Sequence, residues 1–348
     1  MNRIFKNIPY FIAEIGVNHN GDMNLAKKMI IAAKKSGANA VKFQTFKAST
    51  LVTPRTPKVK YQKSTTNKNE SHYQMIKSLE LSEKNHLLLK NFCKKKKIEF
   101  LSTPYDVSSA KFLNKIGCKV FKTASADLVD LELHEYLAKK NKNVIISTGM
   151  STFKEIDECI NIYRKYSNKK FVLLHCVSNY PCSLKSLNLK VLPKIKNRYK
   201  CQVGYSDHSV GNEAATLSYS LGAKVFEKHF TTNKSLKGPD QKASVLPEEF
   251  REMVLKIKTA ELALGKPIKK LQKEEIEMYK VSRKSLTLNR NLLKGQKLMK
   301  NYLTLKRPGT GLFYKYINKI VGKNLKRDLK KDYQIKLKDL SSASKFSK

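Results

Sequence analysis

Eight short apolar runs, separated by segments of helical periodicity, constrain this chain more than any other feature. They are Tyr10–Glu14, Ala40–Thr45, Ile98–Thr103, Val120–Ser125, Val144–Thr148, Phe171–Cys176, Val203–Ser206 and Val225–His229. They recur roughly every 20 to 35 residues, apart from one longer gap, and stretches such as Leu25–Gly37 between them carry apolar residues at helical spacing. Short buried strands alternating with helices predict a parallel sheet. Eight such units in about 250 residues predict an α/β fold of the (β/α)₈ TIM-barrel type, with functional groups at the carboxyl ends of the strands. A doubly wound sheet would need a glycine-rich phosphate turn after the first strand. The segment Gly16-Val-Asn18-His19-Asn20-Gly21 lacks that spacing.

Nearly every predicted strand ends in a polar residue, so the barrel reading gathers those residues at one mouth. Most telling are His208 and His229, which follow successive strands with Asp207 and Glu227 one or two residues upstream. Two imidazoles at matching positions, each with a carboxylate behind it, predict a divalent-metal site and an enzyme that uses a Lewis acid. Neutral imidazoles are needed for that, so activity is expected to fall as pH drops through roughly 6.5.

The chain has 70 Lys and Arg against 28 Asp and Glu, a formal charge of +42. The excess raises the question of nucleic acid, but the lysines are spread over most helices and loops, and no zinc finger, helix-turn-helix or aromatic-basic RNA motif is present. A broad solvated surface and no specific nucleic-acid partner are expected, with salt-sensitive polyanion binding and steering of an anionic substrate as consequences. The six cysteines are scattered without C-x-x-C pairs and read as reduced thiols. The amino terminus has no apolar signal-like run and no segment has the length of a membrane span, so a cytoplasmic protein without membrane attachment is expected.

The barrel is assigned to residues 1–265 and a charged linker to 266–283. A small β-rich domain is assigned to 284–340, and a disordered tail to 341–348. The long segment from Phe46 to about Asn85 is a candidate lid over the site.

Glu14-Ile-Gly-Val-Asn-His-Asn-Gly21, Val41-Lys-Phe-Gln-Thr45, Ser102-Thr-Pro-Tyr105, Ser147-Thr-Gly-Met150, Leu174-His-Cys176, Tyr205-Ser-Asp-His208 and Glu227-Lys-His-Phe230, in that order, resemble the sialic acid synthases. The resemblance spans residues 9–340, and Lys306-Arg-Pro-Gly-Thr-Gly311 is similar to the antifreeze-like SAF module of those enzymes. It implies condensation of phosphoenolpyruvate with an open-chain N-acyl amino sugar, assisted by Mn²⁺ or Mg²⁺, giving phosphate and a nine-carbon 2-keto sugar acid.

On that resemblance His208 and His229 hold the metal, and Lys42, Thr103, Lys122, Ser125, Ser147 and Ser206 bind phosphoenolpyruvate. Glu14 orients the water that quenches the cationic centre left by carbon–carbon bond formation. Gln44, Asp127, Tyr180 and Asp240 contact the sugar or order its pocket, and Arg307 reaches the sugar's N-acyl group. A domain-swapped homodimer is implied.

The chain departs from the family around the sugar, with Ala126-Asp127 where many relatives have Gly-Glu, and Val177-Ser178-Asn179-Tyr180 where Thr-Asn-x-Tyr is common. Those departures bear on the acceptor rather than on the reaction. N-acetylmannosamine, giving N-acetylneuraminate, is the expected acceptor. The alternatives are a 2,4-diacetamido-2,4,6-trideoxy hexose giving legionaminate and an isomer giving pseudaminate. A different class of reading is a non-catalytic barrel that binds polyanions or glycans, for which only the charge excess speaks. Another is a metal-independent aldolase with a Schiff base on Lys122.

Overall fold

The computed structural model describes residues 3–67 and 69–341. The chain divides into two compact units, Met1–Gly265 and Lys266–Lys348. In the first, eight parallel strands run β1 (Tyr10–Gly16), β2 (Ala40–Thr45), β3 (Glu99–Pro104), β4 (Val120–Thr123), β5 (Asn143–Ser147), β6 (Phe171–His175), β7 (Gln202–Asp207) and β8 (Ala223–His229). Their order in the sheet is β3-β2-β1-β8-β7-β6-β5-β4, and β3 lies beside β4 at the seam, so the sheet is a nearly closed barrel of the expected class.

Helices follow the strands and are started by their own side chains. Asp22 accepts from the amides of Asn24 and Leu25, Asp106 from Ser109, and Thr152 forms a reciprocal capping box with Glu155. The helix Met23–Lys35 buries Ala26, Met29, Ile30 and Ala33, the stripe that its sequence spacing predicts.

Strand alternation sorts the core into layers. Phe11, Ala13 and Ile15 of β1 join the apolar shell between sheet and helices, whereas Tyr10 and Ile12 join Ala40, Leu101, Val120, Ile145, Val172, Leu174 and Val225 in a plug inside the barrel. Each next inward position along the strands is polar: Glu14, Lys42, Thr103, Lys122, Ser147, Ser206 and Glu227. The barrel is crowded at this level. A Cβ on Gly204 would sit 2.3 Å from the Val225 carbonyl oxygen and 2.5 Å from Leu174 Cδ2, so only glycine fits.

Residues 46–79 form three short helices, Ala48–Leu51, Lys60–Thr65 and His72–Ser78. The segment is fastened internally by Lys58, whose Nζ donates to Thr66 Oγ1 (3.0 Å), the Asn67 carbonyl (2.8 Å) and Glu70 Oε1 (3.1 Å).

The second unit has its own core of Leu286, Leu288, Leu292, Leu298, Ile320, Leu325 and Ile335 around an antiparallel pair, β9 (Ser285–Leu288) and β10 (Leu303–Lys306), supplemented by isolated bridges. Residues 276–282, inside the stretch expected to be a linker, form a helix whose Lys280 carbonyl accepts from the Gly309 amide at 2.6 Å. The expected tail lies outside the described residues from position 342 onward.

Candidate active site

The carboxyl ends of the strands open into a cavity of about 950 Å³. Its floor is a layer of buried charge. Lys42 Nζ lies 2.9 Å from Glu14 Oε2 and 3.8 Å from Glu227 Oε2, and donates to Thr103 Oγ1 at 3.0 Å. Lys122 Nζ donates to Ser147 Oγ at 2.6 Å and to the Thr123 carbonyl at 2.9 Å, and stands 3.7 Å from Glu227 Oε1. Ser206 Oγ donates to Glu227 Oε1 at 3.0 Å, and Gln44 Nε2 to Glu14 Oε1 at 3.2 Å. Two ammonium groups and two carboxylates therefore interleave around one ring, flanked by hydroxyls.

Burial drives the titration of these groups apart. It pushes the Glu14 carboxyl well above the usual range, with Glu227 adding to it and Lys42 opposing. Burial would raise Glu227 too, but Lys122, Lys42 and the Ser206 hydroxyl outweigh it and hold Glu227 low. Lys122 is pulled down by burial, whereas Glu14 and Glu227 overcome the same effect at Lys42 and hold it up. Glu14 is thus the carboxyl of the ring with affinity for a proton near neutrality.

One strand level higher stand His208 and His229, with ring centroids 5.6 Å apart. His208 donates from Nδ1 to the Val177 carbonyl at 2.8 Å, which fixes its tautomer and leaves Nε2 with only a 3.5 Å approach to Ser206 Oγ. His229 Nδ1 is buried without a hydrogen-bond partner, 3.8 Å from Asp240 Oδ2. Burial and the neighbouring His208 push His229 down to about 3, and burial lowers His208 as well. Both shifts favour the neutral ring, so a loss of activity tied to these imidazoles moves to lower pH than 6.5. Two neutral imidazoles side by side, one with an orphaned nitrogen, fit a catalytic divalent ion. No group of three His, Cys, Asp or Glu side chains placed to hold a metal occurs among the described residues. Remaining coordination positions would fall to water or substrate oxygens.

The carboxylates expected behind the imidazoles are placed differently. Asp207 lies between the inward positions 206 and 208, so alternation turns it outward, where it pairs with Lys228 at 2.5 Å and accepts from Ser209. Glu227 faces inward with His229 but sits between the lysines, bonded to Ser206.

Ser125 also lines the cavity, its Oγ accepting from the Gly149 amide at 3.0 Å and lying 3.0 Å from Cys176 Sγ. Tyr180 stacks on His208 with centroids 4.2 Å apart and meets His229 edge-on at 5.3 Å. Asp240 lines the wall beside His229, and burial pushes its carboxyl up to about 6. Thr103 and Asp127 stand behind the wall rather than in it. Arg307 is exposed in the second unit.

Tyr61, in the segment expected as a candidate lid, lines the cavity, packs its ring 5.6 Å from Tyr180 and hydrogen-bonds Asp240. Its helix is also tied to the loop before Asp240, since the Gly238 amide donates to the Thr65 carbonyl at 3.4 Å. The segment that leaves β2 therefore reaches across the mouth to residues that follow β6 and β8.

Asp127 carries a stability prediction. Burial, then Asp130, pushes its carboxyl up to about 7, and Oδ2 is buried without a partner. The folded chain then binds this proton more tightly than the unfolded chain, so its contribution is present below about pH 4 and lost as pH rises through 7. Asp127→Asn is expected to stabilise the protein at pH 8 by roughly 2 kcal/mol and to change little at pH 4. Thermal melts of both chains at the two pH values check this.

Residues 29–295 match the NeuB family, and residues 283–341 match the SAF domain. The chain is 44% identical over 324 residues to the N,N'-diacetyllegionaminic acid synthase of Legionella pneumophila, covering 92% of this chain and 91% of the relative. It is 42% identical to the N,N'-diacetyllegionaminic acid synthase of Campylobacter jejuni, covering 91% and 97%. Among solved structures, the N-acetylneuraminic acid (sialic acid) synthetase of Leptospira borgpetersenii in complex with citrate superposes with a TM-score of 0.69 at 35% identity, covering 78% of this chain and 90% of that one.

Proposed function

This chain belongs to the NeuB family and is a carbon–carbon bond-forming transferase, and from that premise we propose that it condenses phosphoenolpyruvate with a 2,4-diacetamido-2,4,6-trideoxy hexose to give a legionaminate-type acid and phosphate. The observation that carries the reaction is the buried ring in which Lys42 and Lys122 flank Glu227 at 3.8 and 3.7 Å, one level beneath His208 and His229. The acceptor differs from the N-acetylmannosamine expected above. The relatives at 44% and 42% identity are named for a product with two N-acetyl groups, which favours the diacetamido sugar.

Phosphoenolpyruvate brings a phosphate and a carboxylate. Lys42 and Lys122 supply compact charge to them, and Ser125, Ser147 and Ser206 supply directional hydroxyls, with Thr103 positioning Lys42 from behind. Glu227, 3.8 and 3.7 Å from the two lysines, favours their charged forms before the anion arrives. A divalent ion on His208 and His229, Mn²⁺ or Mg²⁺, would supply Lewis acidity at the sugar's aldehyde oxygen. The enol carbon bonds to the aldehyde carbon, one water adds its oxygen to the former C2 of phosphoenolpyruvate, the proton that water releases ends on the former aldehyde oxygen as a hydroxyl, and phosphate departs as C2 becomes the ketone. Glu14, held by Gln44 and Lys42 and with raised proton affinity, orients that water and takes its proton at a carboxylate oxygen. Tyr180 and Asp240 hold the sugar on the imidazole side, and Arg307 of a second copy in a homodimer engages an N-acyl group.

The test is phosphate release from phosphoenolpyruvate and Mn²⁺ with the diacetamido trideoxy sugar and with N-acetylmannosamine side by side, each with an EDTA control. Release with the diacetamido sugar, abolished by EDTA and restored by metal, is expected. Release with N-acetylmannosamine alone would return the acceptor to the first expectation, and no release with either sugar would overturn the reaction.

A further inference from the structure

Part of the cavity wall is aliphatic. Val17, Phe46, Met75 and Leu79, with Leu51 and Ile76 packed against them, form an apolar cluster separate from both barrel cores. All but Met75 also line the cavity. The helix His72–Ser78 supplies both His72 and Ile76 to this wall, four residues apart and hence on one face. His72, which also borders a smaller cavity beside Lys58 and Glu70, has its Nδ1 buried without a hydrogen-bond partner. An unsatisfied imidazole nitrogen one turn from a cluster of aliphatic carbons matches a group that is polar at one end and methyl at the other.

The wall is held in place. Glu80 Oε1 accepts from the Ala48 amide at 2.6 Å, Lys58 fastens residues 66–70, and Tyr61 anchors the segment to Tyr180 and Asp240. A sugar with a hydroxyl in place of the second acetamido group brings no methyl to Leu51, Ile76 and Leu79 and presses a polar group against them, which costs free energy.

We propose that the helix His72–Ser78 is the acceptor-selecting element of the site: His72 hydrogen-bonds the second acetamido group, the one an N-acetylhexosamine lacks, and Ile76 with Leu51 and Leu79 buries its methyl. The inference rests on the proposed condensation and assigns its substrate class to particular side chains. Neither residue belongs to the charged ring or the imidazole pair, so the chemistry itself is untouched by their loss.

The experiment measures kcat/KM for the diacetamido trideoxy sugar and for N-acetylmannosamine in the full-length protein, with saturating phosphoenolpyruvate and Mn²⁺. It compares wild type, His72→Phe, which keeps a planar ring, and Ile76→Thr, which keeps the β-branch but shortens it and adds a hydroxyl; far-UV circular dichroism checks folding. Each variant is expected to lower the ratio of diacetamido sugar to N-acetylmannosamine about tenfold, through the first sugar alone, with KM for phosphoenolpyruvate unchanged. An unchanged ratio, or equal losses on both sugars, overturns the assignment while leaving the condensation standing. A wild type that releases phosphate with neither sugar overturns the condensation and this assignment with it.

Discussion

Replacing Lys122 with Met is expected to lower kcat/KM for phosphoenolpyruvate by on the order of 10³-fold, because a desolvated ammonium facing an anion contributes far more than an exposed one. The side chain is 2% exposed, with Ser147 Oγ at 2.6 Å and Glu227 Oε1 at 3.7 Å. Met fills similar space but leaves Glu227 with Lys42 and Ser206 alone, so a loss of stability of about 3 kcal/mol accompanies the loss of activity. Glu227→Gln in the same chain should recover much of that stability and none of the activity, which separates the two effects. Urea unfolding and steady-state kinetics on the single and double variants make the comparison. A Lys122→Met protein that retained its KM for phosphoenolpyruvate would remove the phosphate from this floor. Burial lowers the Lys122 pKa, which on its own would suit an amine nucleophile. Glu227 at 3.7 Å opposes that shift, and Ser147 and the Thr123 carbonyl occupy the amine, so borohydride with pyruvate is expected to leave no adduct on it.

The barrel was legible because each strand is buried on both faces and therefore reads as a continuous apolar run. Position along those strands was legible too: Glu14, Lys42, Lys122, Ser147, Ser206 and His229 stand where their strands end, and the structure gathers them in one cavity. Direction across the strand was read less well. Period-two alternation, written in Ser206-Asp207-His208 and in Glu227-Lys228-His229, puts Glu227 on the face of His229 and Asp207 on the opposite face from His208. Closeness in sequence had suggested that both carboxylates support the imidazoles. Tyr61 and His72 belong to the segment expected as a lid, but their partners are not written in the sequence. They lie on short helices in a segment with no strand register to fix them, and only tertiary contacts such as Tyr61 against Tyr180 bring them to the site.

The same alternation sets up the second large effect. Lys228 and His229 are adjacent in β8, yet they face different surroundings. Lys228 Nζ, behind the sheet, pairs with Asp207 at 2.5 Å and donates to the carbonyls of Ser209 (2.9 Å) and Gly211 (2.8 Å). Lys228→Met strands the Asp207 charge in a dry interior and frees the loop that follows His208. The expected cost is about 3–5 kcal/mol, a fall in Tm on the order of 10 °C for a unit of this size. Asp207→Asn added to Lys228→Met should restore most of it, since the penalty belongs to the unpaired charge. His229→Ala removes a ring with no hydrogen-bond partner on Nδ1 and a like neighbour at 5.6 Å, so stability is expected to move by less than about 1 kcal/mol while metal-dependent phosphate release disappears. Calorimetry and the phosphate assay on these chains test the division. Comparable destabilisation by His229→Ala would mean that the inward face of β8 supports the fold as much as the outward face does. Separation of the two effects would mean that the imidazoles are kept for turnover, at positions where the fold itself makes no use of them.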